Sequence, residues 1–325
     1  MSYLKKIGGA VFAVTLTLAV PSSAQVKISL DSPKDMANSG TYVWAHTFGE
    51  YLAAHGMAYE EFERGALGNE AEKLDQVSQG LLEVSMSDVK SVAGMDPTVF
   101  GVFLPYFFKN AGELDRALIE GGMIDRINGN VKGKGVHILD IAYIGGGAGI
   151  FNTKHAVNSM ADMADLRMRA LDQVQIAIFQ AWGSTGTIVA WDEVPNALQT
   201  GVADGYMNPP IVPLMFGHTS FIKHYTDADI VPSSRAVIAS EAWYEGLSNE
   251  QKKIVAEATV AARKANREWL AGQGIVVEKL KEAGIEVGSL SDEARAEFAN
   301  ASAPLYALLP MPEGALEAWI AAKGK

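Results

Sequence analysis

The residues best suited to chemistry lie between Val157 and Pro210, in the stretch VNSMADMADLRMRALDQVQIAIFQAWGSTGTIVAWDEVPNALQTGVADGYMNPP. Its strand-like LRMRA segment, Leu166 to Ala170, carries Arg167 and Arg169 two positions apart. A regular strand would project both from one face, although one can still sit at the strand end and meet solvent. A guanidinium in such a place offers a fork of donors matched to a carboxylate. The plainer alternative is that both arginines pair with Asp165 or Glu193. Asn208, in the DGYMNP turn from Asp204 to Pro209, can lend one more hydrogen bond. Trp191 precedes an amphipathic PNALQTG helix and is either ordinary core or an aromatic pocket wall with a polar edge.

Other chemistries find less support. Gly145-Gly146-Gly147-Ala148-Gly149 follows a convincing strand, as a phosphate-binding turn would. The dinucleotide fingerprint needs G-x-G-x-x-G opening a helix. Here the last glycine falls one place early and GIFNTKHAV has no helical pattern, so a crossover between lobes is the better reading. There is no G-x-S-x-G elbow, and Gly183-Ser184-Thr185-Gly186 lacks its spacing. The six histidines show no H-E-x-x-H or other tight metal spacing. No cofactor and no metal are expected, and the chain is not expected to be an enzyme.

The elements that would position these residues alternate. Strands are expected at Val26–Leu30, Met57–Phe62, Leu82–Met86 and Val136–Ile144. Helices are expected at Thr41–Ala54, Glu70–Gln79 and Ala111–Ile127. This β-α-β order implies an α/β protein with mainly parallel sheet. A second unit begins near Gly145. It has strands at Gly149–Asn152, Arg167–Leu171 and Ala203–Met207, and helices at Val174–Trp182 and Asp192–Thr200. Ser248 and Gln251 have capping-box spacing and open a long helix of the kind that bridges two lobes. Further helix is expected from Ser289 to Ile320, broken by Pro304, Pro310 and Pro312.

Lys5 and Lys6, the uncharged run Ile7 to Val20 and the small residues of Pro21-Ser22-Ser23-Ala24 read as a secretory signal peptide. The run is shorter than the roughly 20 apolar residues of a membrane span. Cleavage after Ala24 is expected, leaving a soluble mature chain from Gln25. The absence of Cys excludes disulfides, thiol chemistry and a lipid-anchored Cys at the cleavage point. Losing Lys5 and Lys6 takes the formal charge from −11 to −13, which disfavours nucleic acid and anionic lipid as partners. An anionic ligand would therefore need a locally positive pocket. The length suggests two lobes.

Six motifs in order resemble the substrate-binding proteins of tripartite ATP-independent periplasmic (TRAP) transporters, the dicarboxylate-binding-like family. Arg64-Gly65-Ala66-Leu67-Gly68-Asn69-Glu70 is similar to its G-x-L-G-x-E segment, and Leu74, Val77 and Gly80 follow as in its L-x-x-V-x-x-G helix. Leu104-Pro105-Tyr106 resembles its L-P-[FY] element, and Leu166–Arg169 its L-K-x-R strand. Glu193–Gly201 resembles its E-V-x-x-A-L-Q-T-G helix and Asp204–Pro209 its D-G-x-x-N-P turn. The resemblance runs from about Val26 to beyond Gln251.

That resemblance implies a two-lobed periplasmic binding protein fold with hinged domains and a long helix bridging both lobes. Expected limits are a signal peptide over 1–24, lobe I over 25–145 and lobe II over 146–232. Residues 233–325 would supply a crossover strand, the long helix and C-terminal helices that partly return to lobe I. The resemblance also implies an exported, monomeric receptor that hands an organic acid to TRAP membrane subunits. A receptor for a sensor or another transport system is the chief rival, with an exported hydrolase behind it. In the family, the carboxylate-binding arginine falls on Arg169, the pocket aromatic on Trp191 and the second carboxylate contact on Asn208. Further polar contacts fall on Glu70 and Asp88. A second arginine common in the family falls on Gly149. Its loss, with Tyr206 and Phe151 nearby in sequence, would make room for a bulkier or more apolar acid and disfavour sialic-acid-like sugars.

Overall fold

The structure, a computed structural model, describes residues 25–324; the expected signal segment and its cleavage after Ala24 lie outside the described residues. Alternating small, β-branched and apolar residues build β1 (Val26–Ser29), which pairs in parallel with β2 (Tyr59–Phe62) and β3 (Val84–Ser87). The helices between them, Gly40–Ala54 and Glu70–Ser78, form the crossovers. Each begins where a side chain takes up free backbone N–H groups: Ser39 accepts from Tyr42, and Asn69 closes a capping box with Glu72. Trp44, Phe48 and Leu52, four apart, bury one face of the first helix completely.

The mainly parallel expectation holds with one reversed strand in each sheet. β4 (Val136–Gly147) and β10 (Pro232–Ser240) complete this sheet in the order β2-β1-β3-β10-β4, and β10 runs antiparallel to both neighbours. The second sheet has the order β11-β9-β5-β8-β6-β7. Its strands are β5 (Gly149–Asn152), β6 (Arg167–Ala170), β7 (Thr185–Ile188), β8 (Gly205–Asn208), β9 (His224–Asp227) and β11 (Glu286–Ser289). It too is mixed, since β5 is antiparallel to β8 and β9. The expected helix over Ala111–Ile127 is two helices, Ala111–Ile119 and Met123–Val131. They are divided at Gly122, whose φ of 73° is left-handed. The expected helix from Asp192 is a 3-10 turn, Trp191–Glu193, followed by the α-helix Val194–Thr200.

Two lobes result, one around each sheet, and two of the chain's crossings between them run side by side. Pro232 pairs with Gly147, the N–H of Ala148 donates to Val231 O (2.9 Å) and that of Ile230 to Ala148 O (2.8 Å). The glycine run serves this crossing. A Cβ on Gly147 would stand 1.7 Å from the Asp229 carboxylate, and one on Gly145 2.9 Å from Ile211. No helix opens after it, as a phosphate cradle would require.

The long helix spans Asn249–Ala271, with the Ser248/Gln251 capping box formed. It lies along the first lobe, where buried Asn266 binds the N–H and carbonyl of Tyr143 and the carbonyl of Gly40. It then delivers the chain to β11 in the second lobe. Past the helix Asp292–Ser302, the helix Ala315–Lys323 returns to the first, where Trp319 Nε1 donates to Thr98 O (2.7 Å).

Candidate ligand-binding site

A cavity of about 900 Å3 lies between the lobes, and Arg169 lines it from the second. β6 sits between β8 and β7, and its pleat turns the Arg169 side chain inward, leaving it 5% exposed. Nε donates to Val189 O (2.9 Å), and the guanidinium carbon stands 5.5 Å from the Trp191 ring centroid. Among the described residues no carboxylate comes within ion-pair distance of Arg169. Burial lowers it to about 10, against the attraction of Asp88, so it remains cationic at neutral pH. Arg167, two places earlier, is half-exposed and makes a two-pronged contact to Asp204 (2.9 and 2.8 Å). The expected alternative of both arginines pairing with Asp165 or Glu193 is not what forms.

Trp191 lines the cavity with Phe216 and His218, the three rings packed at centroid distances of 5.2 to 6.2 Å. Burial pushes His218 down to about 4, so this wall is uncharged at neutral pH. Tyr206 does not reach the cavity. It is fully buried behind Trp191, edge-on at 5.9 Å, and its hydroxyl meets His218 Nδ1 at 3.2 Å. Phe151 packs deeper still, against Tyr206 and Tyr225. Asn208 ends β8 on the cavity wall, and its buried amide nitrogen has no hydrogen-bond partner among the described residues.

The expectation of free space at Gly149 is wrong. Gly149 pairs with Asn208 in β5, and a Cβ there would lie 2.4 Å from both Thr226 O and the Tyr225 ring. The position faces packed neighbours rather than the ligand, and an arginine could not be built on it without displacing backbone.

The first lobe supplies a second guanidinium that the sequence reading missed. Arg235, on β10, reaches Asp31 (Nε–Oδ2 3.0 Å), Asp88 (3.4 Å) and Glu70 (3.9 Å). Burial pulls its pKa down, but these three carboxylates outweigh it and raise the pKa overall. Glu70 also holds Lys73 (3.1 Å) and accepts the Asp88 N–H (3.0 Å). Burial would raise Glu70, yet Arg235 and Lys73 keep it below the usual carboxylate range. Glu70 and Asp88 thus line the cavity, and there they serve as counter-ions of Arg235 and Lys73. The missed signal was a lone arginine in an otherwise uncharged strand, IVPSSRAVIAS.

Two polar contacts cross the cleft. Arg64 Nη2 meets Asp192 Oδ1 (3.2 Å), and Lys90 Nζ donates to Leu171 O (2.6 Å). Both contacts tie the first lobe to the second beside the cavity. The sequence profile of the bacterial extracellular solute-binding proteins, family 7 (DctP), matches residues 32–309. The chain belongs to that family.

Relatives of this family 7 protein align over most of its length. The ectoine/5-hydroxyectoine-binding periplasmic protein UehA of Ruegeria pomeroyi is 26% identical over 92% of this chain and 90% of its own. The C4-dicarboxylate-binding periplasmic protein DctP of Rhodobacter capsulatus is 25% identical over 90% of each. A TRAP periplasmic solute-binding protein from Polaromonas sp. JS666, solved bound to D-erythronate, superposes with a TM-score of 0.82. It is 25% identical, covering 92% of this chain and 97% of its own. The family is one of periplasmic binding proteins that work with TRAP membrane subunits.

Proposed function

We propose that this chain is a non-catalytic periplasmic receptor for an organic carboxylate, with Arg169 and Asn208 taking the carboxylate and Trp191 forming the wall beside it. The observation that carries the reading is Arg169 itself. A buried guanidinium without a counter-ion is costly, and a ligand carboxylate would supply the missing partner. The D-erythronate and C4-dicarboxylate of its relatives belong to this chemical class. Arg235 differs, because three acidic side chains already surround it; its contribution is to hold that polar wall in place. The ligand would bridge the lobes, favour the closed state and present that state to TRAP membrane subunits. In this reading the mature protein starts at Gln25 and acts as a monomer. Its lobes divide near residues 145 and 232, with later segments shared between them.

Isothermal titration against sugar acids, keto acids, dicarboxylates and aromatic acids tests the proposal. Saturable binding of at least one acid, absent for its amide, is expected. Tight binding of a neutral or purely cationic solute, with no acid bound, would overturn it.

A further inference from the structure

Resting on the carboxylate reading above, we propose that the solute is a monocarboxylate with an extended apolar tail. Its head would sit at Arg169 and its tail would enter a second cavity at the seam between the lobes. This cavity, of about 300 Å3, adjoins the first through a shared wall of Phe100, Phe103, Val174 and Ile178. Phe100 and Phe103 come from the 3-10 turn Pro97–Phe103 of the first lobe. Val174 and Ile178 are four apart on the helix Gln173–Ala181 of the second, so they share its face. The wall is thus made of apolar side chains contributed by both lobes.

The 3-10 turn shows which way its aromatics are aimed. Val99 and Val102 fill the core at 1% and 0% exposure, whereas Phe100 and Phe103 remain partly exposed toward the cleft. Beyond them the second cavity is lined by Pro105, Ala177, Leu305, Leu309 and Pro310, with Leu308 at 76% exposure. The one hydroxyl among its lining residues, that of Tyr306, already donates to Pro105 O. On the Arg169 side the larger cavity adds apolar Leu171 and Val231, along with polar Lys90, Asp172 and Gln175. Gln173, exposed at its rim, is the one side-chain amide of the second cavity's lining. A hydroxylated tail would lose most of its water partners here, while methylenes would leave water for a mainly apolar seam.

Titration calorimetry on the full mature chain with acetate, butanoate, hexanoate, octanoate and decanoate tests this. Affinity is expected to rise about fourfold per methylene, corresponding to about 0.8 kcal/mol, once the tail reaches the seam. Ala177→Phe, which fills the second cavity alone, is expected to remove that gain for octanoate and leave butanoate unchanged. A flat or falling series, with D-erythronate preferred, would overturn the tail and leave the carboxylate reading intact. A rising series undiminished in a folded Ala177→Phe would overturn the placement. Should that variant not fold, the wild-type series alone decides. Arg169→Ala reports separately on the head: equal weakening of every acid supports the anchor, and no weakening of any acid overturns the site reading.

Discussion

Arg64 and Asp192 close the mouth of the cleft with a 3.2 Å contact between a glycine-flanked loop of the first lobe and the turn after β7 of the second. Arg64 also holds its own lobe through a bond to Asp31 O (3.1 Å) and lies 5.9 Å from the Phe216 ring. Yet the Asp192 side chain is 84% exposed. A pair so wet is worth at most about 1 kcal/mol, enough to bias closure and too little to hold the clamp shut alone. Asp192→Asn is expected to weaken ligand binding by less than about fivefold, mainly through faster release. Stopped-flow dissociation at low and high salt checks this, the wild type converging on the variant as salt rises. A tenfold or larger loss of affinity would mean that Asp192 touches the ligand.

Arg169→Ala is expected to weaken carboxylate binding at least about tenfold, since a charge-assisted hydrogen bond in a dry site is worth roughly 1.5–3 kcal/mol. Arg169→Lys should restore only part, because an ammonium keeps the charge and loses both the fork and the stacking on Trp191. Arg167→Ala, whose partner is Asp204, is the control and should leave affinity nearly unchanged. Calorimetry, with circular dichroism to verify folding, separates the three.

His218 predicts an acid-side loss of stability. Burial lowers its folded pKa to about 4 from the ordinary 6.5. Between those values the unfolded chain binds the extra proton and the folded one does not. The contribution is therefore complete above about pH 6.5 and is lost as pH falls toward 4. Melting temperatures measured across that range should decline less steeply in His218→Phe than in the wild type. Parallel curves would show that another group titrates there.

Gly149→Arg tests the correction made at that position. A contact of 2.4 Å to the Thr226 carbonyl cannot be relieved by a rotamer. Overpacking of this kind costs typically about 1–3 kcal/mol. The variant should melt lower and bind dicarboxylates no more tightly than the wild type. Improved dicarboxylate affinity would mean that the side chain finds the cavity after all.

The parts of this protein legible in its sequence were those encoded within short spans. Arg169, Trp191 and Asn208 belong to one continuous stretch of strand, turn and helix, and local patterns were sufficient to single them out. The Ser248 cap was equally local. Arg235 was not, because Asp31, Glu70 and Asp88 come from three distant segments and meet it only when β10 inserts beside β3. That same insertion makes the first sheet mixed, and no local β-α-β pattern could reveal a strand arriving from more than a hundred residues away. Gly149 was misjudged for another reason. Counting residues places a position along a strand, but only the packing of Tyr225 shows which side of the sheet is full.

The strand order β2-β1-β3-β10-β4 also sets a timetable for folding. β10 is the rung between β3 and β4, and β11 closes the edge of the other sheet, so neither sheet can finish until late segments arrive. Such distant pairings are slow to form. A partly synthesised chain would hold two unfinished sheets and no lasting tertiary structure. In a family of exported periplasmic proteins, such late completion would lengthen the time for which the chain stays open.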